Sequence, residues 1–335
     1  MNITVGFTYD AKADYQLKDT DPADKYAEFD SEATISEITA ALESGGYKVD
    51  RIGHAKNLIN RILKGDKWDI VFNICEGIYG RNRESQVPAI LELYDIPYMG
   101  SDVFTMGLTL DKTSAKKIIQ YNGISTAGFE YINDINEVKL RLPGLQSILP
   151  VIIKPSYEGT SKGISKKSIC RDIDEIKSQL EFMLAQFPNQ PILVERFIKG
   201  YEFTVAVIGN DKPEVLPPVQ ITLQGQPDLG DEFYTHARVE NNEIKYVCPA
   251  KIDSGLNEKL RRMALDSYRA LECRDLGRID FRVDYNNEPY FLECNPLPNL
   301  GRIDVFPIVA EATGRTYNRL LVEVLEHALR RYNII

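Results

Sequence analysis

The stretch from Gly277 to Pro296 constrains this 335-residue chain more than any other. Gly277-Arg278-Ile279-Asp280-Phe281-Arg282-Val283 and Pro289-Tyr290-Phe291-Leu292-Glu293-Cys294-Asn295 read as two strands. Asn286-Asn287 between them tolerates the positive φ that a tight hairpin turn demands. Such a turn sets Asp280 opposite Glu293 and Arg278 opposite Asn295, all on one face, because side chains alternate by two. The other face carries Ile279, Phe281 and Val283 against Cys294, Leu292 and Tyr290, and turns to a core. Two carboxylates opposed across a ladder repel and weaken the sheet. A hard divalent cation removes that cost, and an Asp, a Glu and an Asn oxygen suit magnesium. A solvated hairpin face with its charges spread apart is the other reading of this stretch alone.

Gly-Arg-Ile-Asp, followed by Leu-Glu-Cys-Asn-Pro, resembles the metal-binding end of the ATP-grasp ligases, most closely the D-alanine–D-alanine ligase group. The resemblance implies that Asp280, Glu293 and Asn295 hold two magnesium ions, with manganese as a substitute, on the phosphates of ATP. It makes Arg278 the group that stabilises the oxyanion of a tetrahedral intermediate. It also implies an α/β ATP-grasp fold in three domains, with nucleotide held between the second and third. These are a Rossmann-like N-terminal domain over residues 1–104, a central domain with a phosphate lid over 105–197, and a C-terminal domain with the metal site over 198–335.

Charge bounds the partners. A formal net charge of −9 disfavours non-specific nucleic-acid binding. Five cysteines with no C-x-x-C spacing argue against a zinc site and against a disulfide framework. Met1-Asn2-Ile3-Thr4-Val5 enters a strand with no basic leader or long apolar run, so a soluble cytoplasmic protein without a membrane partner is expected.

In the N-terminal third, short apolar runs at Ile3 to Phe7, Tyr47 to Ile52 and Trp68 to Ile74 alternate with a helix from about Ser36 to Ser44. That order predicts a parallel sheet. Tyr9 to Ser31 is acidic and reads as a solvated loop. Here the chain departs from the resembling ligases, which carry a short Gly-Gly-x-Ser-x-Glu turn whose Glu holds the ammonium of the first amino acid. Ser31-Glu32-Ala33-Thr34-Ile35-Ser36 looks like the end of that motif, which nominates Glu32. A second departure is Glu76, where the family pattern has a His; the scaffold is kept while the first-substrate pocket is altered.

In the central third, Asp111-Lys112 opens a helix closed by Asn122-Gly123. By resemblance Lys112 reaches the ATP phosphates. An apolar strand then delivers Lys154 into Pro155-Ser156-Tyr157-Glu158-Gly159-Thr160-Ser161-Lys162-Gly163. Glycines admit phosphate oxygens close to the backbone, and the Thr160 and Ser161 hydroxyls can bind them. This is no P-loop, since G-x-x-x-x-G-K-[ST] is absent. It is similar to the family's phosphate lid, which includes Glu158. The segment Glu195-Arg196-Phe197-Ile198 corresponds to the hinge whose backbone reads adenine, and Glu202 to the carboxylate on the ribose hydroxyls.

In the C-terminal third, Thr222 to Tyr246 reads as a long polar loop that closes over the site. The family's Lys-Tyr pair stands here as Arg238-Val239, which keeps the charge and loses the phenol. After Asn295, the backbone N–H of Asn299 completes an oxyanion site with Arg278. Asp304 replaces a Ser that binds the carboxylate of the second amino acid. An uncompensated carboxylate pair at about 4 Å costs roughly 4 kcal/mol at an effective dielectric of 20, unless Arg302 or Arg238 pairs with Asp304. D-alanine is then expected to be a poor acceptor, and a basic or carboxylate-free amine a better one.

The expected function is an ATP-dependent carboxylate–amine ligase acting through an acyl phosphate on small amino acids or amines. The expected assembly is a homodimer. A ligase of natural-product or non-wall amino acids and a non-catalytic ATP-binding protein are the alternatives. Hydride transfer lacks its glycine fingerprint.

Overall fold

The computed structural model describes residues 3–16, 25–235, 238 and 241–335, the Leu142 side chain excepted. In the first sheet, β1 (Thr4–Tyr9), β2 (Lys48–Arg51), β3 (Ile70–Ile74) and β4 (Tyr98–Met99) are parallel, in the order β2-β1-β3-β4. Val5, Phe7, Ile70 and Phe72 are fully buried, as strands covered on both faces require. The helices α1 (Glu32–Ser44), α2 (Ala55–Leu63), α3 (Gln86–Leu93) and α4 (Val103–Leu110) accompany this sheet. The first begins at Glu32 rather than near Ser36 because Ser31 caps it, accepting from the Thr34 N–H.

Asp111 caps α5 (Lys112–Tyr121), its Oδ1 accepting from the N–H groups of Thr113 and Ser114. The second sheet is antiparallel, ordered β5-β8-β6-β7, from β5 (Phe129–Ile132), β6 (Val151–Pro155), β7 (Ile169–Cys170) and β8 (Ile192–Arg196). The helices α6 (Val138–Ser147) and α7 (Ile173–Gln186) pack on it. Gly200 then turns the chain into the third sheet. Its φ is +128°, and a Cβ there would meet the Val283 carbonyl oxygen at 2.3 Å, so only glycine fits.

The third sheet is ordered β12-β11-β9-β13-β14, with β10 (Glu214–Val215) paired to β9. Its other strands are β9 (Tyr201–Ile208), β11 (Val219–Leu223), β12 (Ile244–Val247), β13 (Leu276–Val283) and β14 (Pro289–Asn295). Both ends of the expected Thr222–Tyr246 loop are therefore strand: Thr222 pairs with Lys245.

The β13–β14 pair corrects the expected hairpin. Arg278 does face Asn295, and Asp280 does face Glu293. A bulge follows, after which Phe281 pairs with Phe291 and Val283 with Pro289. The turn spans Asp284 to Glu288, and only Asn287 of the asparagine pair takes a positive φ, +59°. Phe281 and Phe291 are fully buried, whereas Leu292 lines the cavity described below. The extra residue turns Leu292 from the core face.

The helices α8 (Ser254–Ala270), α9 (Phe306–Ala312) and α10 (Tyr317–Arg331) complete the chain. Leu320, Leu321, Val324, Leu325 and Leu329 of α10 share one core with Val5, Phe7, Ile35 and Ile38, so the end of the chain packs against its beginning. Among the described residues no helix is long and apolar enough to cross a membrane.

Candidate active site

A cavity of about 300 Å³ lies among the three sheets, lined by residues from β6, β8, β9, β13, β14 and the segments around Glu28, Glu76 and Glu84. On its β13–β14 wall Asp280 is held in place by three donors. Thr204 Oγ1 donates to its Oδ1 at 2.5 Å, Arg278 Nε at 3.3 Å, and Asn295 Nδ2 to its Oδ2 at 3.0 Å. The Asn295 amide oxygen is left as an acceptor. Glu293 pairs with Lys112 Nζ at 3.0 Å.

The electrostatics of this wall follow from crowding. Burial pushes the Asp280 carboxyl up, Arg278 pulls it back and Glu293 adds repulsion, leaving it at about 6. Burial also works to raise Glu293, but Lys112 and Lys154 outweigh it and hold it at about 2. Two opposed carboxylates beside an amide oxygen, coupled in this way, are the donor chemistry of a hard cation. Among the described residues no three His, Cys, Asp or Glu side chains gather as a metal site, so phosphate oxygens and water would have to complete the coordination.

Lys112 also donates to the Glu158 carbonyl at 2.6 Å, so α5 touches the lid through its first residue. Lys154 pairs with Glu195, as does Lys116 at 2.7 Å; Lys116 and Glu195 are 0% and 1% exposed. The Glu195 side chain thus serves two buried lysines. Its partner Lys116 escaped the sequence reading, although it sits one helical turn after Lys112.

Two of the four residues of the expected purine hinge have their N–H groups committed within the chain. Arg196 and Phe197 give their N–H groups to the carbonyls of Gly128 and Pro150 at 2.8 Å each. The Ile198 carbonyl accepts from Arg282 Nε at 3.0 Å, while the Ile198 N–H has no acceptor among the described residues. Glu202, 7% exposed, accepts from Arg282 Nη1 at 3.1 Å and lines the cavity. Arg282 was also missed, yet it shares a face with Arg278 and Asp280 by simple alternation.

Thr160 and Ser161 both take positive φ, +49° and +56°, a costly conformation for a β-branched residue. Glu28 fastens this lid. It accepts from the Gly159 N–H at 3.0 Å, Lys162 Nζ at 2.6 Å and Arg83 Nη2 at 3.0 Å, with its side chain 6% exposed. Arg83 Nη1 donates in turn to the Tyr157 carbonyl at 2.6 Å. Glu28, from a segment read as solvated by its charge, therefore closes against this loop, while residues 17–24 of that segment lie outside the described residues.

Three nominated residues lie elsewhere. Glu32 is exposed at the start of α1, paired with Arg51 at 2.7 Å and absent from the cavity wall; Ser31 and Thr34 of the same segment line it. Arg238 turns to the Phe233 carbonyl, Glu232 and Glu243. Arg302 stacks on Tyr317 with its guanidinium carbon 4.2 Å from the ring centroid. Neither arginine lines the cavity. Val239 lies outside the described residues, but phenols are present: Tyr234 and Tyr246 both line the cavity. Burial, reinforced by Asp304, pushes Tyr234 up to about 12.

Asp304 does reach the cavity, and its partner is neither Arg302 nor Arg238. Arg278 Nη1 donates to it at 3.1 Å, and the Val305 N–H at 2.6 Å. Burial works against the Arg278 charge, but Asp280 and Asp304 hold it well above the usual range. Asn299 lines the cavity, and its backbone N–H has no acceptor among the described residues. Glu76 also lines the cavity, beside Glu84.

The family described as D-ala D-ala ligase C-terminus matches residues 118–326. The D-alanine–D-alanine ligase of Bordetella avium is 32% identical over 268 residues, 79% of this chain and 80% of its own. That of Carboxydothermus hydrogenoformans is 33% identical over 295 residues, 86% of this chain and 90% of its own. The crystal structure of D-alanine–D-alanine ligase from Bacillus anthracis complexed with ATP shares the fold, with a TM-score of 0.75 over 99% of both chains at 24% identity. With its opposed acidic wall, paired lysines and clasped lid around one cavity, the chain belongs to the D-alanine–D-alanine ligase family of ATP-grasp enzymes and is an ATP-dependent amide-forming ligase.

Proposed function

We propose that the cavity binds ATP and activates a small carboxylic acid, itself an amino acid, for attack by a small amine or second amino acid. The observation that carries this reading is the convergence of Lys112, Lys154, Arg278, Asp280 and Glu293 on one cavity. The Ile198 N–H meets the purine edge and Glu202 the ribose hydroxyls, while Thr160, Ser161 and the Gly159 backbone cover the phosphates. Magnesium, two ions by family resemblance with manganese as a substitute, would be held by Asp280, Glu293 and the Asn295 oxygen and would neutralise charge on the phosphoryl oxygens.

A donor carboxylate oxygen attacks the γ-phosphorus, the bond to the bridging oxygen breaks, and ADP leaves. Lys112 and Lys154 offset charge on the phosphoryl group as it moves. The amine, having lost a proton, adds to the acyl carbon; phosphate departs with the donor's oxygen, and the amide remains. Arg278 and the Asn299 N–H face the oxyanion of that addition. Arg278 is pre-positioned, because Asp280 and Asp304 fix its two ends.

The acceptor side favours a substrate pair other than two D-alanines. Asp304 is compensated by Arg278, so the full repulsion expected of a bare carboxylate does not apply. An acceptor carboxylate still meets one more negative charge here than a serine would present. A cytoplasmic homodimer with three units at 1–104, 105–197 and 198–335 completes the reading; each unit contains one of the sheets.

Donor acid labelled with ¹⁸O in its carboxyl group provides the test. Released phosphate should carry one labelled oxygen whenever ADP and amide form. Amide formation with unlabelled phosphate would exclude the acyl phosphate route. Absence of ADP release with every acid–amine pair of a broad panel would favour a non-catalytic nucleotide-binding protein.

A further inference from the structure

One wall of the cavity is acidic beyond what the chemistry above requires. Glu28, Asp30, Glu76 and Glu84 all line it. The cations there are largely committed. Arg83 and Lys162 are tied to Glu28, Lys112 to Glu293 and the Glu158 carbonyl, and Lys12 stands exposed at the edge. Glu84 is only 8% exposed, yet it has no hydrogen-bond or ion-pair partner among the described residues. Glu76 likewise has none. A buried carboxylate left without a donor is costly, so Glu84, with half-buried Glu76 on the same wall, suits a positive group that the chain does not itself supply.

The two carboxylates come from different segments of the same wall. Glu84, on the 3-10 turn Arg83–Ser85, lies within the electrostatic reach of Lys112 and Glu293, at the phosphate end. Glu76 follows β3 and lines the cavity with Glu84, Glu28 and Asp30. A donor whose carboxylate sits at the γ-phosphate keeps its α-ammonium close to that carboxylate, within reach of Glu84. A cationic side chain on the donor would meet the second unpartnered carboxylate, Glu76.

We propose that the preferred donor is an α-amino acid with a cationic side chain, its α-ammonium held by Glu84 and its side-chain amine or guanidine by Glu76. This rests on the ligase reading and names the substrate class of that same site. Glu76 is a specificity residue here, paired to the donor's distal charge. Glu28 takes no part in this recognition, because lid and Arg83 contacts occupy it.

The experiment compares ornithine, norvaline and glutamine, both enantiomers of each, as donors with one saturating amine panel, reading ADP release as kcat/KM. Ornithine should exceed norvaline, which matches its chain length without the charge, by tenfold or more. Glu76→Gln should erase at least most of that ratio, chiefly through a raised KM for ornithine. Binding of ornithine in the presence of a non-hydrolysable ATP analogue, followed by thermal shift, should weaken in the same variant. Equal use of ornithine and norvaline by the wild type, or an unchanged ratio in Glu76→Gln, overturns the proposal while leaving the ligase reading intact. No ADP release with any donor overturns both.

Discussion

Single side chains in this cavity are held by opposing charge, and that makes their removal informative. Asp280 and Glu293 face each other with Arg278, Asn295 and Lys112 around them. Asp280→Asn or Glu293→Gln removes a charge that the proposed cation would meet and keeps the shape. Turnover measured by ADP release should fall roughly 10²–10³-fold, as for other preorganised electrostatic groups. The melting temperature should change by no more than a few degrees, and retained wild-type ADP formation would count against the metal assignment. Asp30 gives a pH signature. Burial raises its carboxyl from 3.8 to about 7, with Lys12 opposing. A carboxyl raised in this way binds its proton more tightly folded than unfolded. Its favourable contribution is complete below about pH 4 and lost as pH climbs through about 7. Asp30→Asn cannot ionise, so its melting temperature relative to wild type should improve steadily from pH 4 to pH 8. A pH-independent difference would refute the assignment.

At the scale of elements, the lid is governed by a residue far from it in sequence. Glu28 lies 131 residues from Gly159, and joins it and Lys162 to Arg83. Thr160 and Ser161 hold strained backbone angles in the same segment. Glu28→Gln keeps an acceptor for Gly159 but drops the charge that holds Lys162 and Arg83. Hydrogen exchange across residues 158–164 should accelerate about tenfold or more in the variant without nucleotide, and ATP with magnesium should restore most of the protection. Unchanged exchange in the variant would show that Glu28 does not fasten the lid. The bulge after Asp280 acts at this scale too. It preserves the Asp280–Glu293 pairing on the cavity side while Phe281 and Phe291 enter the core.

Across the whole molecule, the first and last parts of the chain are one packed body. The α10 apolar face sits in the core of the first sheet, and Asp275 joins three distant segments. It is 0% exposed and accepts from the Gly100 N–H at 2.9 Å, Asn210 Nδ2 at 2.8 Å and Arg331 Nη2 at 2.6 Å. Arg331→Met leaves that carboxylate without its cation, a change that costs about 3–5 kcal/mol when a buried pair is broken. The urea midpoint of the first unfolding transition should drop accordingly, and nucleotide binding measured under native conditions should persist. A midpoint within error of wild type would mean that the remaining two donors suffice.

The sequence by itself determined whatever depends on residues near one another in the chain. Alternation by two put Arg278 and Asp280 on one face, and β13–β14 pairing set them against Asn295 and Glu293. Asp111 capped the helix that starts at Lys112, and a glycine-containing run after Lys154 made a cavity-lining loop. Resemblance added the ligase chemistry. Only the tertiary structure decided which faces meet. Glu28 became a clasp rather than a solvated charge, Lys116 and Arg282 became buried partners of Glu195 and Glu202, and Asp304 took Arg278 rather than Arg302. Glu32 and Arg238, plausible by motif, turned to neighbours outside the cavity. The reason is physical: a side chain's local period says which face it occupies, but the partner that compensates its charge is chosen by packing between segments a hundred or more residues apart, where desolvation makes every unmatched ion costly.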